Sequence, residues 1–243
     1  MRALAIVHQR DAGPGVFADA IVDSGAELDT WMISGGGPPP RDPAAYDAVL
    51  AFGGAMHADQ EDLHPWLRDE KELLADLVAA RKPLMCVCLG AQLLADATGG
   101  AVCRARQPEI GWHEVELSDA GKGDPVLGCL PRRFTAFGWH SYETTLPPGA
   151  VELARNSLCL QAFRFGEHAW AIQFHAEVSA EDLTAWIESY TTDPDAIRIG
   201  LDPRSLAAES AGKIKEWNRT GRALCAGFCE VAVAVAAGAT PRA

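Results

Sequence analysis

Basic residues are scarce in this chain: 21 Lys and Arg stand against 33 Asp and Glu, a formal net charge of −12. No Lys/Arg cluster is longer than the pair Arg132 and Arg133, so the surface repels a phosphate backbone and no nucleic-acid partner is expected. Long apolar runs are missing too. Nothing reaches the ~20 residues that a membrane-spanning helix needs, and no membrane partner is expected. Met1 to His8 has one Arg and a short apolar run, which fits a first strand better than the longer core of a secretion signal. The chain also lacks a phosphate loop. Ser34 to Pro43 carries Gly-Gly-Gly-Pro-Pro-Pro without the trailing Lys-Ser/Thr, and no clear helix opens after it.

Paired metal-ligand motifs are absent as well. The seven cysteines, at 86, 88, 103, 129, 159, 225 and 229, are odd in number, which predicts free thiols in a reducing cytoplasm. Neither Cys86-x-Cys88 nor Cys225-x3-Cys229 has a nearby second pair or His-x3-5-His partner, so no metal or cofactor is expected. Cys86 and Cys88 share a face of one strand. Their Cα atoms would lie ~6.5–7 Å apart, at or beyond the disulfide limit, and no bond between them is predicted.

What the chain does have is a sufficient core, 48% hydrophobic over 243 residues. Apolar runs alternate with helical periods through the first hundred residues, the signature of an α/β fold with a mostly parallel central sheet flanked by helices. Strands are predicted at Leu4 to His8, Glu27 to Ile33, Tyr46 to Phe52 and Pro83 to Val87. Helices are predicted at Gly15 to Gly25, from Pro65 onward and at Leu89 to Ala97. From Ala101 to Phe174 the pattern becomes short strands broken by Gly, Pro and Asp, read as added antiparallel sheet, with Trp170 to Phe174 the last strand. Ser179 then reads as an N-cap. Residues 1–190 form the predicted main domain, and 191–243 a helical extension packed on it, with the Ala-rich Val231 to Ala237 as the packed end of a helix.

Three places carry chemistry. Cys88 is the single residue between a predicted strand and a predicted helix. That position projects its sulfur above the sheet while the helix aims unpaired N–H groups and its positive end at it, both favouring a thiolate. The N–H of Leu89 can then serve as an oxyanion donor, and Gly90 avoids a Cβ that would crowd the strand. The second place is Gln173-Phe174-His175-Ala176-Glu177. Alternate residues of an extended segment face one side, so Glu177 can hold one ring nitrogen of His175 and leave the other to take the proton of Cys88. The third is Gly53-Gly54 at the end of a strand, where the Gly54 N–H can complete an oxyanion hole. Each has a plainer reading taken alone: a buried thiol, a capping histidine, a turn.

Taken in order, Gly53-Gly54, then Cys88-Leu89-Gly90-Ala91-Gln92, then Phe174-His175-Ala176-Glu177 resemble the class I glutamine amidotransferases. The resemblance runs over roughly Ala3 to Tyr190 and does not cover the last fifty or so residues. It implies a flavodoxin-like core and a Cys88-His175-Glu177 triad that attacks the γ-amide of glutamine, giving a γ-glutamyl thioester, ammonia and then glutamate. By position it implies that Gln92 contacts the glutamine, with Gly53, Ser141 and Tyr142 as further binding residues. His140 is a rival base, with Glu143 the acid nearest it in the chain. Three residues depart from the family pattern: Cys86 replaces a usual Gly, Ala55 a usual Pro and Ala176 a usual Pro. The two lost prolines would loosen loops near the site.

The resemblance also implies a separate synthase subunit to receive the ammonia. The other readings left open are a γ-glutamyl peptidase acting on glutathione-like compounds and a catalytically silent regulatory protein. The sequence leaves the oligomeric state undetermined.

Overall fold

In the computed structural model, which describes residues 1–238, one nine-stranded sheet organises the chain. Its first half is built from β1 (Arg2–Val7), α1 (Gly15–Asp23), β2 (Glu27–Met32), β3 (Ala48–Ala51), α2 (Trp66–Ala79), β4 (Leu84–Val87) and α3 (Leu89–Ala97). Then come β5 (Val102–Leu117), α4 (Asp119–Lys122), β6 (Arg133–Thr144), β7 (Val151–Arg155), β8 (Leu160–Phe165) and β9 (Ala169–Ile172). The chain continues through α5 (Ala180–Glu188), α6 (Pro194–Arg198) and α7 (Pro203–Ala236).

The strand order is β2-β1-β3-β4-β9-β8-β7-β5-β6. The first five run parallel, and the remaining pairings are antiparallel. The parallel part therefore has the flavodoxin-like order, whose ligands bind outside the carboxyl ends of the strands. Apart from the edge strand β2, its strands are nearly continuous apolar runs because both faces are covered. Alternate residues of β1 divide the core. Ala3, Ala5 and Val7 join Phe17 and Ile21 of α1 and Leu224 and Phe228 of α7, while Leu4 and Ile6 join Leu67 and Leu74 of α2 and Leu93 of α3.

Two expectations differ from this structure. The segment expected as short strands contains a sixteen-residue strand, β5, paired with the twelve-residue β6. Its register shifts between Arg104 and Glu109, and Gly111 takes φ +112°. Pro108 and Gly111 thus mark irregularities within a curved hairpin, not breaks between strands. The last strand stops at Ile172, not Phe174. Beyond it the chain turns, with the His175 N–H donating to the Phe137 carbonyl at 2.8 Å.

Helix α5 begins at Ser179, whose hydroxyl caps the Asp182 N–H while the Asp182 carboxylate returns to the Ser179 N–H. Helix α7 starts with Pro203 behind the Asp202 cap and lays a stripe of Leu206, Trp217, Leu224, Phe228 and Ala232 on the core. The Ala-rich end is half inside: Val231 and Ala232 are buried, and Val233 is exposed. Residues 239–243 lie outside the described residues.

Candidate active site

The carboxyl ends of β1, β3, β4 and β9 converge on one cavity of about 330 Å³, at the lower end of the ~300–1,000 Å³ range of small-molecule sites. Cys88 stands on its floor between β4 and α3 with φ +52° and ψ −106°. A non-glycine residue at positive φ is strained. The surroundings fix it: the Cys88 N–H donates to the Ile172 carbonyl at 2.9 Å, and its carbonyl accepts from Gln92 N at 3.0 Å. The turn depends on Gly90, where a Cβ would lie 2.4 Å from the Ala51 carbonyl oxygen. Leu89 begins the helix, so its N–H is one of the unpaired donors of a first turn.

His175 and Glu177 lie past the end of β9 in the turn, and their side chains still meet. His175 Nδ1 is 2.7 Å from Glu177 Oε1, with both residues buried, and Cys88 is close enough to the ring to interact with it. Burial alone pushes the His175 pKa down. Interaction with Glu177 and with Cys88 outweighs it and raises the pKa to about 10, which holds the ring as an imidazolium at neutral pH. Trp186 closes over the ring edge-on at 4.9 Å.

Gly53 and Gly54 pack against this group. A Cβ on Gly53 would sit 2.9 Å from His175 Cε1 and 3.7 Å from Cys88 Cβ, and one on Gly54 would sit 3.1 Å from Leu89 Cδ2. Of the expected binding residues, Gln92, Ser141 and Tyr142 line the cavity, as does Gly54. Gln92 Nε2 donates to Gln173 Oε1 at 3.2 Å, Ser141 shares the lining with Asp195, and the Tyr142 ring stacks on His57 at 4.2 Å.

Both loops that lack the usual proline are pinned by other means. The Ala55 N–H, which a proline would not have, donates to Gln9 Oε1 at 2.7 Å. The turn from His175 to Val178 is held through its carbonyls: His175 accepts from Trp217 Nε1 at 2.7 Å, Glu177 from Val16 N at 2.8 Å and Val178 from Asn218 Nδ2 at 2.7 Å. Gly221 faces Ala176, where a Cβ would lie 1.9 Å from the carbonyl oxygen. Cys86 is a buried free thiol, like Cys88 unbridged, and its burial raises its pKa.

A second Cys-His-Glu group lies close by. His140 Nε2 is 3.3 Å from Glu109 Oε2, and Cys159 Sγ is 3.1 Å from the same oxygen. The partner of His140 is thus Glu109, its cross-strand neighbour on β5, not Glu143. Burial and the Glu109 charge push the Cys159 thiol up, so it donates its proton instead of losing it. Despite that burial, His140 and Cys159 hold the Glu109 carboxylate down to about 2, and Gln161 and Asn156 also donate to it. His140 Nδ1–H donates to the Tyr142 carbonyl at 2.9 Å, so this group anchors the cavity wall. Cys159 does not line the cavity; Cys88 does.

The far wall was not visible in the sequence. It comes from Trp186 and Ser189 and from Thr192, Asp193 and Asp195 at the start of the extension. Among the described residues, no helix is long and apolar enough to cross a membrane.

Residues 19–189 match the family model described as glutamine amidotransferase class-I. The chain is 28% identical over 193 residues to the glutamine amidotransferase-like protein YfeJ of Salmonella typhimurium, covering 77% of this chain and 80% of that one. It is 32% identical over 152 residues to a gamma-glutamyl-L-1-hydroxyisopropylamide hydrolase of a Pseudomonas species, 59% of this chain and 51% of that one. Over 100 residues it is 36% identical to one subunit of the glutamine-hydrolysing GMP synthase of Methanoculleus marisnigri, 40% and 53% of the two chains. The match thus spans about half the length of these last two relatives. A solved glutamine amidotransferase of Thermotoga maritima superposes with a TM-score of 0.85 at 29% identity, over 95% of this chain and 98% of that one.

Proposed function

This chain belongs to the class I glutamine amidotransferases, enzymes that hydrolyse glutamine through a Cys-His-Glu triad, and from that premise we propose that Cys88, His175 and Glu177 are its triad. The observation that carries the assignment is the strained Cys88 on the floor of a cavity that His175 also lines, with Glu177 holding that histidine at 2.7 Å.

The Cys88 thiolate attacks the γ-carbonyl carbon of glutamine, and the carbonyl oxygen becomes an oxyanion between the N–H groups of Gly54 and Leu89. The His175 imidazolium gives its proton to the amide nitrogen. The C–N bond then breaks, leaving a γ-glutamyl thioester on Cys88 and free ammonia. Water enters, His175 takes one of its protons, and the resulting hydroxide displaces the thiolate to give glutamate. Glu177 orients the ring and stabilises its charged form throughout. Gln92, Ser141 and Tyr142, which line the cavity, bind the glutamyl portion, and Gly53, which does not line it, acts only through the shape of the turn. Residues 1–190 with the extension from 191 work as one unit, since Asp193 and Asp195 line the same cavity. The ammonia acceptor is a separate synthase subunit, by analogy with the relative whose matching chain is one subunit of a glutamine-hydrolysing synthase.

A second reading is hydrolysis of a γ-glutamyl compound substituted on the amide nitrogen. It is favoured by a cavity whose lining reaches beyond the reacting groups to include Ser189 and Thr192, and by the Pseudomonas relative, a hydrolase of such an amide. Steady-state release of ammonia and glutamate from glutamine, measured beside release of glutamate from γ-glutamyl dipeptides and γ-glutamyl alkylamides, decides between them. Preference for glutamine supports the first reading, and preference for the substituted amides replaces it with the second. Turnover that survives Cys88→Ala overturns both.

A further inference from the structure

A third buried His–Glu pair, which the triad does not use, lies against the Gly53–Gly54 turn. His8 follows β1 directly and Glu70 sits on the inner face of α2; both side chains are fully enclosed. His8 Nε2 is 2.8 Å from Glu70 Oε2, and His8 Nδ1 is 3.0 Å from the carbonyl oxygen of Gly53. A carbonyl can only accept, so Nδ1 carries a proton and donates it. The ring plane is fixed by Trp66, stacked on it at 5.4 Å. Burial works against the charged ring, but Glu70 outweighs it and the His8 pKa is raised.

The consequence lies in the peptide unit. The Gly53 carbonyl and the Gly54 N–H belong to one trans peptide, in which the two groups point in opposite directions. Anchoring the oxygen on His8 points the N–H the opposite way along the peptide, and Gly53 packs against His175 and Cys88 while Gly54 packs between His8 and Leu89. Glycine has no side chain to hold a peptide in one orientation, and two in succession leave the unit free to flip. His8 supplies the missing restraint.

We propose that His8 and Glu70 are positioning residues that lock the Gly53–Gly54 peptide with its N–H toward the Cys88 sulfur, so that the oxyanion hole is assembled before substrate arrives. This inference rests on the assignment of Cys88 as nucleophile. It separates two properties of the site: the thiolate depends on His175 and Glu177, while stabilisation of the developing oxyanion depends on His8.

His8→Phe keeps a ring against Trp66 and removes the donor. An oxyanion donor is typically worth ~10²–10³ in kcat, so a loosened one is expected to lower kcat for glutamine at least ~10-fold, with KM within about twofold. Alkylation of Cys88 by iodoacetamide, which develops no oxyanion, is expected to stay within about twofold of wild type. Glu70→Gln can still donate to a neutral ring and should recover much of the kcat lost in Glu70→Ala. An unchanged kcat in His8→Phe overturns the inference, and so does an alkylation rate that falls in step with kcat, which marks a general loss at the nucleophile. If His8→Phe does not fold, nitrogen-15 NMR of the histidines in wild type decides: a protonated Nδ1 on His8 supports the anchor, and an unprotonated one overturns it. Turnover by Cys88→Ala, run in parallel, would instead reject the assignment of the nucleophile on which the inference stands.

Discussion

The indole N–H of Trp217 donates to the backbone carbonyl of His175 at 2.7 Å. The histidine proposed as the base is thereby fixed by a residue of α7, outside the segment that matches the family model. Trp217 is itself held by Phe134, stacked at 6.3 Å, and by the edges of Trp112 and Phe174. Replacing it with Phe keeps most of that packing and leaves a buried carbonyl unpaired. The expected cost in unfolding free energy is about 1–3 kcal/mol. Because the freed turn carries both His175 and Glu177, kcat should also fall, by up to ~10²-fold if the ring shifts by about 1 Å. Denaturant unfolding and steady-state kinetics of Trp217→Phe check both numbers; loss of stability with kcat unchanged would make α7 a covering helix only.

Removing the reacting groups should give a ranked series. Cys88→Ala is expected to abolish turnover with the circular dichroism spectrum intact, since the smaller side chain still fits the strained turn. His175→Ala loses both proton transfers, whereas Glu177→Gln loses the orientation and part of the charge that raises the His175 pKa. The expected order of residual kcat is therefore Glu177→Gln above His175→Ala. The reverse order would place the base elsewhere, with His140 and its Glu109 partner the first alternative to examine.

How far the site could be read in advance depended on how local each interaction is. Cys88 was legible because one residue between a strand period and a helix period is a boundary that sequence marks directly. His175 and Glu177 were legible because their contact spans two residues. The partner of His140 was not, because Glu109 faces it only through the register of the β5–β6 hairpin, and a register shift near Pro108 hides that from any fixed spacing. His8 and Glu70 meet across 62 residues and Trp217 and His175 across 42, with no periodicity to announce either. The extension could be read as a helix packed on the domain, but its ordinary stripe does not say which part of the site it reaches. What it touches could be known only from the fold.

Stability should depend on pH in two windows of opposite sign. His175 has its pKa raised on folding, from 6.5 to about 10, so its contribution is complete below about 6.5 and is lost as pH rises toward about 10, where the folded state binds more protons than the unfolded. Glu109 is lowered from 4.5 to about 2. Its contribution is complete above about 4.5 and is lost as pH falls toward about 2. Midpoints of urea unfolding across pH 2 to 10 should therefore fall at both ends. Glu177→Gln should flatten the alkaline decline and Glu109→Gln the acid one; a variant profile parallel to wild type would remove that group from the account.

Helix α7 offers a test in which local propensity and tertiary packing predict opposite signs. In an exposed helix interior Gly→Ala gains about 1 kcal/mol of helical stability, and Gly221 sits well inside a 34-residue helix. Its missing Cβ, however, is where the turn of His175 to Glu177 approaches: a methyl group would lie 1.9 Å from the Ala176 carbonyl oxygen. Either α7 or the turn must move, at the cost of about 1–3 kcal/mol usual for overpacking. Movement of the turn carries His175 and Glu177 with it, while movement of α7 withdraws Trp217 and Asn218 from their carbonyls. Gly221→Ala is therefore expected to lower the unfolding midpoint and kcat together, although the isolated helix becomes more stable. Gly212 gives the internal control on the same helix, because nothing lies within 4 Å of where its Cβ would be. Gly212→Ala should raise stability by about 1 kcal/mol with kcat unchanged. If both substitutions stabilise, α7 does not press on the turn, and the rigidity of His175 must come from β6 and Glu177 alone.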